Sequence, residues 1–86
     1  MTDSTIKMYS TKWCPDCFRA KWAFEKHGVP VEVIDIDQDR SASEFVKRTN
    51  NGMMSVPTIV FPDESILTEP SARDLEVKFR ELGLVG

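Results

Sequence analysis

Two residues of this 86-residue chain have the type and spacing for redox chemistry: Cys14 and Cys17, its only cysteines, in Trp13-Cys14-Pro15-Asp16-Cys17. Three positions apart on a helix is one turn, close enough for a disulfide to form and break. Pro15 suits a first helical turn, where its missing N–H costs nothing, and good helix formers run from there to His27. Cys14 therefore falls where a strand meets a helix start, and the orphan N–H groups and positive dipole end there stabilise a thiolate. Lys12 adds a cation two residues upstream. Cys14 is the natural nucleophile and Cys17, one turn into the helix, the buried resolving thiol. Asp16 pulls the other way: a carboxylate between two sulfurs disfavours a further negative charge and makes the couple more reducing.

Competing uses of these side chains fit less well. Structural zinc needs four ligands, and the single histidine, His27, lies roughly 20 Å along the helix from Cys14. The same distance excludes a Cys–His dyad on this helix, so His27 reads as a C-terminal residue facing the helix dipole. Asp35, Asp37 and Asp39 alternate like the start of a calcium loop, but Arg40 and Val46 occupy the positions that require Gly and Glu. Asp39 reads better as a residue near a helix start. One histidine leaves no Ser/His/Asp arrangement.

Composition narrows the class. With 11 Lys+Arg against 14 Asp+Glu the net charge is −3, against a binder that tracks nucleic-acid phosphates. A hydrophobic content of 41% is enough for a modest core, and the length fits one domain over residues 1–86. Apolar stretches are too short to span a bilayer, and Met1-Thr2-Asp3-Ser4-Thr5 lacks the pattern of a signal peptide. The expected compartment is the reducing cytoplasm, where paired cysteines are more often catalytic or metal-binding than structural.

The elements that must position the cysteines follow from periodicity. Strands are expected at Ile6–Tyr9, Val31–Ile36, Val56–Phe61 and Ile66–Thr68. Helices are expected at Pro15–His27, stopped by Gly28 and Pro30; from Ala42 to about Asn50, opened by a capping box at Ser41–Glu44; and from Pro70-Ser71 to Gly83, with Leu75, Phe79 and Leu82 on one side. The order is β-α-β-α-β-β-α. A right-handed crossover makes the first two strands parallel, and the tight turn at Pro62–Ser65 makes the last two antiparallel. The fold class is α/β, a mixed four-stranded sheet flanked by three helices. On the first helix Ala20, Ala23 and Phe24 share the side of Cys17, whereas Phe18 and Trp22 form a second stripe expected to pack under the last helix, the alternative being a docking patch for a partner. Trp13 is expected at an exposed, substrate-facing loop.

A strand leading into Trp13-Cys14-Pro15-Asp16-Cys17, with Ser55-Val56-Pro57 about forty residues later, resembles the glutaredoxin branch of the thioredoxin fold over nearly the whole chain. Thioredoxins proper carry an extra strand and helix before the cysteines, and with thirteen residues ahead of Cys14 they are expected to be excluded. Trp13-Cys14-x-x-Cys17, Asp35-Ile36-Asp37 and Leu67-Thr68-Glu69-Pro70-Ser71-Ala72 look most like mycoredoxins, small actinobacterial redoxins that use mycothiol in place of glutathione.

The resemblance implies a thiol–disulfide oxidoreductase that reduces mixed disulfides between proteins and a low-molecular-weight thiol. It implies a cis Val56-Pro57 bond beside the cysteines, and a Val56 backbone that holds the thiol substrate like an added strand. The helix start at Ser71-Ala72 would help position the small thiol, with Lys12 and Trp13 at the rim. That thiol, mycothiol or glutathione, is a co-substrate, and no metal or organic cofactor is implied. Partners are thiolated or disulfide-containing proteins, with no nucleic acid and no membrane, and the chain is expected to be a monomer. Glutaredoxins usually carry Gly-Gly-Cys-Asp-Asp where this chain has Leu67-Thr68-Glu69-Pro70-Ser71. Loss of the glycines and the charge of Glu69 weaken the case for anionic glutathione and suit an uncharged sugar thiol. Asp16 replaces a common tyrosine, and Lys12 lies two residues before Cys14 where many relatives have lysine three before. The alternatives are an iron–sulfur carrier bridged by two chains, each supplying Cys14; a redoxin reduced by thioredoxin reductase; or a passive interaction module with vestigial cysteines.

Overall fold

Alternation of side chains along the first strand sets up two packed layers. In the computed structural model, which describes residues 5–85, β1 (Lys7–Ser10) turns Met8 to one face and Tyr9 to the other. The segment Met1–Ser4, read above for a targeting signal, lies outside the described residues. β1 pairs in parallel with β2 (Glu32–Asp35) and antiparallel with β3 (Thr58–Val60), and β3 pairs antiparallel with β4 (Ile66–Thr68). The sheet order is β2-β1-β3-β4. This is the mixed four-stranded sheet expected from the order of elements.

Three helices flank it: α1 (Pro15–Lys26), α2 (Arg40–Thr49) and α3 (Ala72–Glu81). On the Met8 face, Phe24 of α1 and Leu75 and Phe79 of α3 close over Ile59 and Phe61, with the Phe24 and Phe79 rings edge to face at 5.0 Å. On the Tyr9 face, Ala42 and Val46 of α2 pack with Ile36, and Tyr9 lies against Phe45 at 4.8 Å.

Local chemistry moved several boundaries. The third strand starts at Thr58 rather than Val56, since Pro57 has no N–H to donate to a ladder; the Val56-Pro57 bond is cis, as expected. The first strand runs one residue further than expected, to Ser10, whose carbonyl accepts from Ile36 N at 3.0 Å. α2 opens two residues before the expected start. Its cap is the Asp39 carboxylate, which accepts from Ala42 N at 3.1 Å, so Ser41 lies within the first turn and forms no capping box. The box belongs to α3 instead, between Ser71 and Asp74. α1 ends at Lys26, with Gly28 beyond it at φ +65°, the left-handed conformation glycine tolerates.

Phe18 and Trp22 do not pack under α3. The side of α1 facing α3 is filled by Ala20, Ala23 and Phe24, and the second stripe is 60% and 58% exposed.

Candidate active site

Cys14 is the N-cap of α1. Its extended backbone (φ −93°, ψ 110°) sends the chain into the helix, and its Sγ accepts a hydrogen bond from Cys17 N at 3.2 Å. A sulfur thus takes the place of the oxygen that usually satisfies a first-turn N–H. Cys14 is half-buried, and its Sγ donates toward the Val56 carbonyl at 3.6 Å.

Cys17 is enclosed, at 2% exposure. Burial pushes its thiol up to about 12, and the hydrogen bond with the Cys14 side chain adds to the effect. At neutral pH Cys17 is therefore a protonated thiol beneath a solvent-reaching one. Both cysteines are free.

The loop opposite Cys14 is fixed from three sides. Thr58 Oγ1, fully buried, donates to the Ser55 carbonyl at 2.7 Å. Asn50 Nδ2 donates to Thr58 Oγ1 at 3.1 Å and to the Val46 carbonyl at 2.9 Å, while Asn50 Oδ1 accepts from Thr68 Oγ1 at 2.9 Å. Glu69 N donates to the Pro57 carbonyl at 2.8 Å from a residue at φ +50°. The end of α2, the start of β3 and the end of β4 thereby hold one loop.

The structure brings Cys14, Cys17 and Val56 into direct contact and ties Pro57 to Glu69. Lys12, Trp13 and Pro15 flank the sulfurs on the exposed surface, and Trp13, at 89% exposure, agrees with its expected placement. Ser71 is used differently. Its Oγ accepts from Asp74 N, and its own N–H donates to the Asp74 carboxylate, so its hydrogen bonds stay within the first turn of α3 beside exposed Ala72. These bonds from Ser71 hold the Asp74 carboxyl below its usual range. Asp16 points to solvent and pairs with Arg19 at 2.7 Å, so its charge is shared with a guanidinium.

Two contributors escaped the sequence reading. Arg19 was visible as an i, i+3 partner of Asp16. Asn50 offered no local sign beyond a polar residue before Asn51-Gly52, because its partners lie on β3 and β4. His27 caps the end of α1, as expected, and also sits 3.9 Å from the Glu76 carboxylate and edge-on to Phe79 of α3. Among the described residues no group of three His, Cys, Asp or Glu is placed to hold a metal ion.

A β-α-β unit joined through α2 to β-β-α, with a Cys-x-x-Cys pair starting α1 against a cis X–Pro loop, is the thioredoxin fold arranged for dithiol chemistry. Within that fold the chain belongs to the glutaredoxin family, whose sequence profile, described as Glutaredoxin, matches residues 6–66. It is 38% identical over 78 residues to a candidate glutaredoxin of Mycobacterium tuberculosis, covering 91% of this chain and 93% of the relative. It is 35% identical over 79 residues to mycoredoxin 1 of Corynebacterium glutamicum, covering 92% and 98%. Among solved structures, the thioredoxin-like protein BC3987 shares the fold at a TM-score of 0.67 and 24% identity, covering 91% of this chain and 99% of that one. The chain is a thiol–disulfide oxidoreductase that acts on protein disulfides together with a small thiol.

Proposed function

We propose that Cys14 is the attacking sulfur and that the small thiol is mycothiol. The observation that carries this reading is the unequal pair. Cys14 reaches solvent with Sγ held by a helix N–H, whereas Cys17 is buried and kept protonated beneath it. The Cys14 thiolate attacks the small-thiol sulfur of a protein mixed disulfide. A Cys14–small-thiol disulfide forms as the protein–sulfur bond breaks, and the protein leaves as a thiolate that takes up a proton. A second small-thiol anion then attacks that sulfur and departs as the oxidised small-thiol dimer, which restores Cys14. Alternatively Cys17 attacks Cys14, releases the small thiol and leaves a Cys14–Cys17 disulfide for later reduction.

The backbone of Val56 is the docking edge for the small thiol, with Lys12 and Trp13 at the rim and the α3 start at Ser71-Ala72 beyond. Mycothiol is favoured over glutathione because that end of the site carries its own negative charges. Glu69 follows β4, and Asp74 already occupies the Ser71 N–H that would otherwise receive a carboxylate. The similarity to mycoredoxin 1 supports the same choice. The reading places this work in one domain acting as a monomer in the cytoplasm.

Turnover coupled in turn to mycothiol, glutathione and thioredoxin reductase, on wild type and Cys17→Ser, tests it. Mycothiol should sustain both proteins, and Cys14→Ser should be inactive with every donor. Turnover with the reductase alone would overturn the small-thiol reading.

A further inference from the structure

α1 carries more apolar surface on its outer side than the fold uses. Phe18 and Trp22 stand one turn apart there, and Trp13 extends the apolar surface past Cys14. Burying large apolar side chains stabilises a fold, yet these three stay largely in solvent while the inner side of α1 builds the core from Ala20, Ala23 and Phe24. Cys14, Phe18 and Trp22 follow at intervals of four, so the two rings lead away from the sulfur along one side of the helix. At 1.5 Å per residue Trp22 lies about 12 Å from Cys14.

Each ring has its own cation. Lys21 Nζ is 5.6 Å from the Phe18 ring centroid and Lys26 Nζ is 5.1 Å from that of Trp22. From Lys12 to Lys26 four cations stand against two carboxylates, one of which, Asp16, is held by Arg19, in a chain of net charge −3. The stripe is therefore an apolar track with a basic margin on an acidic protein. Ammonium–ring pairs strengthen when water is removed, so a segment that covers the rings and offers carboxylates to the ammonium groups gains from both.

We propose that Phe18, Trp22 and Lys26 dock the protein half of the substrate: an extended segment beside the target disulfide in which apolar side chains alternate with Asp or Glu. This deepens the function proposed above and rests on Cys14 being the attacking sulfur. The small-thiol half lies toward Val56 and the protein half runs along α1, so different surfaces read the two halves of the mixed disulfide. At about 3.3 Å per extended residue, the contacts fall within three or four residues of the target cysteine.

The test uses two peptides of equal length, each with one cysteine followed by alternating leucines and charges, acidic in one and basic in the other. Both are offered as mixed disulfides with mycothiol to wild type, to Phe18→Ser/Trp22→Ser and to Lys26→Glu, beside a mycothiol–mercaptoethanol disulfide that has no protein half. Wild type should reduce the acidic peptide with kcat/KM about tenfold above the basic one. The double variant should treat both peptides alike and turn over the small disulfide at the wild-type rate, and Lys26→Glu should narrow the preference. Equal rates in wild type, a preference that survives the double variant, or a parallel loss on the small disulfide would each overturn the proposal. Amide shifts on adding the acidic peptide with its cysteine changed to serine separate docking from chemistry. Shifts across residues 18–26 without turnover of any mycothiol disulfide uphold the track and sink the function proposed above. Turnover without those shifts does the reverse.

Discussion

Burial makes chemically different groups of two cysteines that stand three residues apart. The raised Cys17 thiol gives the reduced protein a pH signature with a definite sign. A thiol whose folded value exceeds its unfolded one favours folding fully below the unfolded value of 9.0 and loses that contribution as pH rises toward about 12. Urea midpoints of the reduced protein should therefore fall between pH 9 and 11 more steeply in wild type than in Cys17→Ser. Asp16 makes a second expectation. With its charge shared by Arg19, Asp16→Asn should raise the reduction potential by only about 10–20 mV, the range open to an exposed charge. Arg19→Ala should lower it, and equilibration with a reference dithiol would measure both. At this scale the sequence was informative where placement follows from spacing, as for Cys14 at the helix start and Cys17 buried one turn in. Where a contact crosses the chain, as for the Cys14 hydrogen bond to the Val56 carbonyl, spacing alone gave nothing, and only the family resemblance set Val56 beside the cysteines.

Elements join through a few polar side chains, and these set the next two expectations. Asn50 links the end of α2 to β3 and β4, so Asn50→Ala leaves buried Thr58 Oγ1 without that donor and frees the loop at Ser55. The cost should be about 1–2 kcal/mol by denaturant titration, with kcat/KM falling because Val56 loses its fixed position. Asp63, in the turn between β3 and β4, accepts from the Ser65 hydroxyl and N–H and from Lys78 of α3 at 3.0 Å, and its carboxyl is lowered to about 2. A lowered carboxyl contributes stability above its unfolded value of 3.8 and loses it as pH falls toward 2. The difference in melting temperature between wild type and Asp63→Asn should be steady above pH 5 and close between pH 4 and 2. Helix limits were legible from glycine and proline, yet the cap of α2 was not. Asp39 and Ser41 are both capable acceptors, and only the path of the chain after β2 decides between them.

For the whole molecule, the order of elements carried most of the fold. Parallel β1–β2, antiparallel β3–β4 and three flanking helices all follow from connection lengths. The pairing of β1 with β3 does not, because no local connection joins them. Periodicity also could not tell which apolar stripe of α1 faces inward. Ala20 and Ala23 join the buried cluster that holds Leu75 and Phe79 of α3, and the bulkier Phe18 and Trp22 are left outside. Stability is concentrated where the two helices meet over the sheet. Phe79 is fully buried against Phe24, so Phe79→Ala should cost about 3–5 kcal/mol and lower the melting temperature by more than 10 °C.

The sulfur that caps α1 is also the sulfur proposed to react. Each covalent change at Cys14 alters the acceptor on which the Cys17 amide rests, and so alters the first turn of the helix. A thiolate offers that N–H a full charge, a thiol only a weak acceptor, and a sulfur bonded to substrate a weaker one still. Amide exchange at Cys17 should thus report each stage of the cycle in turn. The opening of α1 becomes a gauge of how far the electrons have travelled.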